Sequence, residues 1–335
     1  MDIYIIYRYH NCMVIYITVY SYDAMKAKLT QGQSNPNMAS AFVPGHVTGF
    51  FTIHDDASDP LQCGSLGAGF SVESGTLTTV SILKSTDSRV RVKYNGNTIN
   101  GIVSKEVVMS MLADKGGKYR VNVTHQSPLA VGAGFGASGA GALGTAMALQ
   151  KILFGSEERI SAARYAHMAE VRNHTGLGDV IAQTVGGFEI RTRPGAPGIG
   201  QTASIGYPED IHVLLAGSPG LETEKILTDS THRKRINAIG QRLVEEIMSN
   251  PTVDVFVSCS ERFSDAIGLA TSRVKSALSD LKAQGFTWSG MVMLGDSVFC
   301  LCKGNWKTAR HILRQYWKKE EIVVTSISAE GGNLQ

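Results

Sequence analysis

Pro128-Leu-Ala-Val-Gly-Ala-Gly-Phe-Gly-Ala-Ser-Gly-Ala-Gly141 is the stretch that decides the reading of this chain. It sets glycine at Gly132, Gly134, Gly136, Gly139 and Gly141. Upstream, Tyr119-Arg-Val-Asn-Val-Thr124 alternates as a half-buried strand does. Downstream, Ala140 to Phe154 is a run of good helix formers. Strand, glycine loop and helix together make a phosphate-holding arrangement. The glycines let backbone approach an anion, and the helix N-terminus offers free N–H groups and the positive end of a dipole. A Gly/Ala packing seam is the plainer explanation. Packing alone rarely asks for so many glycines at a helix start, because each costs backbone entropy.

Three kinds of phosphate loop compete. A Walker A loop requires Gly-Lys-Ser/Thr, and no lysine lies between Pro128 and Gln150. The dinucleotide fingerprint G-x-G-x-x-G is present at Gly134, Gly136 and Gly139, but it also requires an acidic residue at the end of a second strand. The acids near the right distance, Glu157 and Glu158, follow Gly155-Ser156 and read as the first turn of another helix with Ser156 as N-cap. What remains is a serine-bearing loop, Gly-Phe-Gly-Ala-Ser138-Gly-Ala, in which backbone cradles a triphosphate and the Ser138 hydroxyl reaches phosphate or Mg²⁺.

Composition narrows the class. The chain has 335 residues, 43% hydrophobic and 18% charged, which fits a globular protein with ample core. A net charge of +3 gives no reason to expect nucleic acid or a membrane as partner. The five cysteines are scattered with no C-x-x-C pair, which argues against a zinc or dithiol centre and suits a cytoplasmic location. Ile3 to Tyr20 is apolar but broken by Arg8, His10 and Asn11, so it reads as neither membrane helix nor signal peptide. Residues 1–39 read as an N-terminal extension, 40–195 as a first domain and 205–330 as a second, divided by the Gly/Pro-rich stretch Gly195 to Tyr207. Strands and helices in mixed order give an α+β class. Asn95-Gly96 signals a hairpin, and Ser260 to Gln284 reads as one helix. His232-Arg233-Lys234-Arg235 reads as a solvated helix face rather than an anion patch.

A second constellation lies in Ala166-His167-Met-Ala-Glu170-Val-Arg172-Asn173-His174-Thr-Gly176-Leu-Gly178-Asp179. His167 and Glu170 share a helix face. A carboxylate on a helix beside a phosphate loop suits Mg²⁺, which is held by one or two carboxylates plus phosphates. Asp179, in a glycine-flanked turn, is placed to orient or deprotonate a hydroxyl. Taken singly, Glu170 reads as a surface charge and Asp179 as a turn residue or cap. Together with Ser138 they point to phosphoryl transfer.

These motifs resemble the GHMP small-molecule kinases: Pro44-Gly45-His46, the Ser138 loop, and Gly178-Asp179 followed by Gly186-Gly187. Within that group, Ala41-Phe-Val-Pro-Gly-His-Val-Thr-Gly-Phe-Phe51, Gly64-Ser-Leu-Gly-Ala-Gly69 and Thr175-Gly-Leu-Gly-Asp179-Val look most like the archaeal-type pantoate kinases. The resemblance spans roughly 41 to 330 and implies a two-domain GHMP kinase-like fold. It implies ATP-dependent phosphorylation of the 4-hydroxyl of pantoate on the way to coenzyme A. It implies ATP along Pro128, Gly132, Gly134, Phe135, Gly136, Ala137, Ser138, Gly139 and Ala140, with Mg²⁺ on Ser138 and Glu170. It implies Asp179 as base or orienter, and Ser65, His167 and Arg191 around the pantoate. An arginine fork suits a carboxylate-bearing substrate; an ion pair at a strand end is the plainer role. His46, His54 and Asp55 are weaker candidates near the same pocket. A homodimer is an expectation of the resemblance alone. The family's glycine-rich third motif corresponds here to Gly290-Met-Val-Met-Leu-Gly295-Asp296-Ser-Val-Phe299, with fewer glycines. Competing readings are another hydroxyl acceptor (mevalonate, shikimate, homoserine or a sugar), a non-catalytic nucleotide-binding module, and a nicotinamide dehydrogenase.

Overall fold

A computed structural model describes residues 36–220, 230–293 and 295–335. The expected extension therefore lies almost wholly outside the described residues. Strands β1 (Met38–Phe51) and β2 (Gly67–Lys84) form a long antiparallel pair, followed by the hairpin β3 (Arg89–Tyr94) and β4 (Asn97–Ile99) around Asn95-Gly96. Helix α1 (Ile102–Lys115), strand β5 (Tyr119–Gln126), helix α2 (Ala137–Phe154), helix α3 (Arg159–Arg172) and the short helix α4 (Asp179–Val185) come next. Then follow β6 (Phe188–Arg193), β7 (Gln201–Ser204) and β8 (Ile211–Ser218). The remaining elements are α5 (Ser230–Ser249), α6 (Val253–Ile267), α7 (Ser272–Ala283), β9 (Ser289–Met291), β10 (Asp296–Lys303), α8 (Trp306–Leu313), β11 (Ile322–Ser326) and β12 (Asn333–Leu334).

Two sheets result, and the class is α+β as expected. The larger runs β12-β1-β2-β5-β3-β4, with β6 and β7 continuing from the Gly67 end of β2. The smaller runs β11-β8-β10-β9. Asn37–Gln335 is one compact unit. Within it, residues before Tyr207 supply most of the large sheet and residues after it the small one. The stretch read as a boundary carries β7. Phe70 of β2, Phe256 of α6 and Phe299 of β10 pack edge-on or tilted with ring centroids 5.4–6.0 Å apart, so one apolar core joins strands of both sheets. No helix among the described residues is long and apolar enough to cross a membrane.

Helix α2 holds the centre of the site because its small residues let it lie close on the large sheet. A Cβ at Gly144 would fall 2.6 Å from Thr78 Oγ1. The helix is buried along nearly its whole length. Some expected elements shift. The region 260–284 is two helices, because Gly268 adopts φ 69° and ends α6, while Thr271 caps α7 by accepting from the Val274 N–H. Glu158, not Ser156, caps α3, its carboxylate accepting from Ile160 and Ser161 N–H. Arg233 is not a solvated residue of its basic cluster: its two terminal nitrogens meet Asp55 at 2.9 and 2.5 Å.

Candidate active site

The loop 132–136 turns on glycines with left-handed φ: Gly132 at 79°, Gly134 at 80° and Gly136 at 66°. Gly136 is the N-cap of α2 and brings no side-chain cap, so the first N–H groups of the helix face the cleft unclaimed. A Cβ at Gly134 would lie 2.6 Å from the Met293 carbonyl oxygen, so the loop sits against the turn between β9 and β10. Two bonds fix its far side. His46 N–H donates to the Phe135 carbonyl at 3.1 Å, and Gln183 Nε2 donates to the Gly136 carbonyl at 2.9 Å and the Pro44 carbonyl at 3.0 Å. Gln183 belongs to α4, so one amide ties the loop, β1 and the helix that begins at Asp179.

Ser138 lies in the first turn of α2, and its hydroxyl donates to Glu170 Oε1 at 2.5 Å. Glu170, on α3, is buried, and its second oxygen has no partner. Burial pushes its carboxyl up, the neighbouring Asp179 charge adds to this, and the Ser138 hydrogen bond offsets part of it, leaving it at about 7. The packing here demands glycine: a Cβ at Gly176 would stand 2.4 Å from Glu170 Oε2. A hydroxyl and an orphaned carboxylate oxygen at a helix N-terminus form a hard oxygen donor pair. No group of three or more His, Cys, Asp or Glu side chains suited to a metal occurs among the described residues. Any cation held here therefore needs oxygens from its ligand as well.

Asp179 is the first residue of α4 rather than part of an open turn. Its Oδ1 lies 2.8 Å from His46 Nδ1. His46 is fully buried, and its other nitrogen lies 3.2 and 3.3 Å from the two oxygens of Glu189. Burial alone lowers the imidazole. The Glu189 charge and the hydrogen bonds to Asp179 and Glu189 outweigh it and raise the ring to about 9. The register of β1 slips between Pro44 and Gly45, just before this residue; bulges of this kind re-aim side chains beside active sites.

Arg191 and Ser65 line the cleft beside Gly178. Arg191 is 1% exposed, yet it touches the cavity; Nη1 is paired with Glu189 and Nε donates to Ser65 Oγ at 3.2 Å. Gly178 makes room for this pair, since a Cβ there would be 2.4 Å from Ser65 Oγ.

The cavity thus brings together Ser65, Gly132, Gly134, Phe135, Gly136, Ala137, Ser138, Asp179 and Arg191 of the residues expected from sequence. Glu170 stands just behind it through Ser138. Others are placed elsewhere. The His167 ring bonds the Cys63 carbonyl at 2.9 Å and does not line the cavity. Pro128 is exposed ahead of the loop, while Gly139 and Ala140 are buried beneath it. Asp55 is engaged by Arg233, and His54 pairs through its backbone with Gly64. Sequence reasoning missed Glu189 and Gln183, along with Thr48, Phe51, Leu177 and Met293 on the walls. Glu189 had a signal: it stands two residues before Arg191, and residues so spaced in a strand share a face.

The chain is similar to known proteins in sequence and in fold. Residues 101–187 match the model of the GHMP kinases N terminal domain. The pantoate kinase of Thermococcus kodakarensis is 35% identical over 268 residues, 78% of this chain and 87% of that protein. The pantoate kinase of Methanocaldococcus jannaschii is 35% identical over 263 residues, 78% of this chain and 92% of that protein. A solved structure described as a phosphotransferase related to the CoA biosynthesis pathway superposes with a TM-score of 0.79 at 31% identity, covering 89% of this chain and 98% of its own.

Proposed function

The chain belongs to the pantoate kinase family within the GHMP kinases, and we propose on that footing that its cleft moves the γ-phosphoryl group of ATP to the 4-hydroxyl of pantoate. The observation that carries this is the convergence of three functions on one cavity. The glycine loop and N-terminus of α2, which suit an anion, line it together with Asp179 and with the Arg191–Ser65 pair.

The triphosphate lies along the loop from Gly132 to Ser138, where N–H groups and the helix dipole meet its charge. Ser138 Oγ and Glu170 Oε2 fit Mg²⁺, because a single carboxylate plus phosphate oxygens is a usual way to hold that ion. Bound there, Mg²⁺ would neutralise charge on the phosphate oxygens. Burial favours protonated Glu170 near neutrality, so a cation at this point also favours its ionised form. Arg191 and Ser65 meet the pantoate carboxylate. Asp179, held through Oδ1 by His46, offers its other oxygen to the hydroxyl. In the transfer the hydroxyl oxygen bonds to the γ-phosphorus, the bond to the β,γ-bridging oxygen breaks, ADP leaves, and the hydroxyl proton passes to Asp179. Catalysis comes from alignment and from charges already in place. We place the division of labour at Gly195–Tyr207: 40–195 carries the chemistry, and 205–330 supplies the β9–β10 turn that backs the loop.

ADP release with Mg-ATP and a panel of D-pantoate, pantothenate, mevalonate, shikimate, homoserine and galactose tests this reading. Turnover with pantoate alone is expected. Turnover only with another acceptor would keep a kinase and discard pantoate.

A further inference from the structure

Glu189 is nowhere exposed to the cleft, yet it touches both ends of the proposed chemistry. Its Oε1 pairs with Arg191 Nη1, and both its oxygens lie within 3.3 Å of His46 Nε2. Glu189 is 2% exposed, Arg191 1% and His46 0%. The ring has no freedom to turn away. A Cβ at Gly69 would lie 2.6 Å from His46 Nε2, and one at Gly136 would lie 3.1 Å from His46 Cβ, so backbone closes around it. Ser65, Arg191, Glu189, His46 and Asp179 therefore form one continuous line of contacts from the substrate's proposed carboxylate site to the base.

We propose that Glu189 is a positioning residue: one carboxylate holds the guanidinium that faces the substrate and, through His46, the carboxylate that faces the reacting hydroxyl. The proposal rests on the kinase reading of the cleft. A buried carboxylate paired with one cation would serve structure alone. Glu189 is shared between two cations on different strands, and each of these meets a group on the cavity wall. It thereby fixes the distance between acceptor anchor and base, the quantity an in-line transfer depends on.

Charge follows the same line. The groups facing His46 are Asp179 from α4 and Glu189 from β6. Arg191 lies beyond Glu189, and Glu170 from α3 lies beyond Asp179. Glycine on β2 and the Gln183 amide bring none. Two carboxylates thus hold the ring as an imidazolium against its burial. With a neutral amide at 189, one of the two is gone and burial draws the ring toward its neutral form.

The test measures kcat and both KM values from about pH 6 to 10 for the wild-type chain and Glu189→Gln, with thermal melting as a folding check. Glu189→Gln is expected to lose roughly 10- to 100-fold in kcat. Its pantoate KM rises while its ATP KM holds, and the alkaline limb of kcat moves down by about one pH unit or more. A folded variant with wild-type kcat and an unmoved alkaline limb would overturn the proposal, since a purely structural carboxylate changes only the melting temperature. Should Glu189→Gln fail to fold, ¹⁵N-histidine NMR of the wild-type chain decides. A His46 ring protonated on both nitrogens at pH 8 is expected, and a neutral ring there overturns the proposal. Neither the melting nor the NMR readout depends on turnover. Wild-type inactivity on pantoate would instead count against the kinase reading, independently of Glu189.

Discussion

Glu170 shows how a single buried carboxylate can be useful and costly at once. Its folded value of about 7 stands above the ordinary 4.5, so the folded state binds its proton more tightly than the unfolded chain does. The stabilisation from this group is complete below about pH 4.5 and is lost as pH rises through about 7. Glu170→Gln removes the charge and keeps the shape. In EDTA at pH 8 it should melt higher than wild type by the equivalent of about 2–4 kcal/mol. The difference should fade toward pH 4.5, and the variant should lose Mg²⁺-dependent turnover. Equal melting at both pH values would show that Glu170 carries no buried charge. Asp179, at 27% exposure, has the opposite character: it reaches water. Asp179→Asn should keep the His46 contact and lower kcat by roughly 10²- to 10⁴-fold while ATP KM stays within a few-fold. Single-turnover kinetics with saturating ATP would check it, and unchanged kcat would remove Asp179 from the chemistry. Both residues stood out in the sequence only through their company: singly they read as a surface charge and a turn residue, and the Ser138 loop is what pointed to phosphoryl transfer. The structure turns the His167 ring to a backbone carbonyl, because helical spacing says which face a side chain shares, not which carbonyl its ring finds. That carbonyl, of Cys63, comes from a loop more than a hundred residues earlier.

At the scale of elements, the glycine loop and α2 were legible because backbone demands left a mark on composition. Three of its glycines take left-handed φ, which other residues adopt only with strain. The pairing of α4 with the loop was not legible. It depends on Gln183, an ordinary helix residue until β1 and the loop present it with two carbonyls. The break at Gly268 was missed for a different reason: good helix formers on both sides masked a cap pair that only backbone angles reveal. Gly136→Ala tests the loop. Its φ of 66° and a Cβ 2.8 Å from Gln183 Nε2 both oppose a side chain. The substitution should cost about 1–3 kcal/mol of stability and raise ATP KM more than pantoate KM. Differential scanning fluorimetry with and without ATP would show it as a lost ligand shift. An unaltered ATP shift would mean that the loop does not carry the triphosphate.

Across the whole molecule, the end of the described chain braces the helix that bears Asp179 from behind. Ile327 bridges Val72, and Ser328 exchanges backbone bonds with Ser71 and Gly187 at 2.9 and 2.7 Å. Gly332 N–H then donates to the Gln183 carbonyl at 2.8 Å, and its own carbonyl accepts from Arg159 Nη1 at 3.1 Å. β12 finally pairs with β1 at Ala41 and Phe42, a few residues before His46. These contacts join α3, α4, β1 and β2, the elements that place Ser138's partner Glu170, Asp179, His46 and the Arg191 strand. Their absence would leave the cleft's walls intact in composition but free to move against one another. A chain ending after Ile327 forfeits at least four backbone or side-chain hydrogen bonds, each worth about 1 kcal/mol. It should melt roughly 5–15 °C lower. Because Gln183 links this brace to the phosphate loop, kcat should fall severalfold even well below the melting temperature, with ATP KM less affected. A shortened chain that melts lower yet keeps wild-type kcat would show that the brace serves stability alone, and that α4 is held in place by Gln183 and His46 without it.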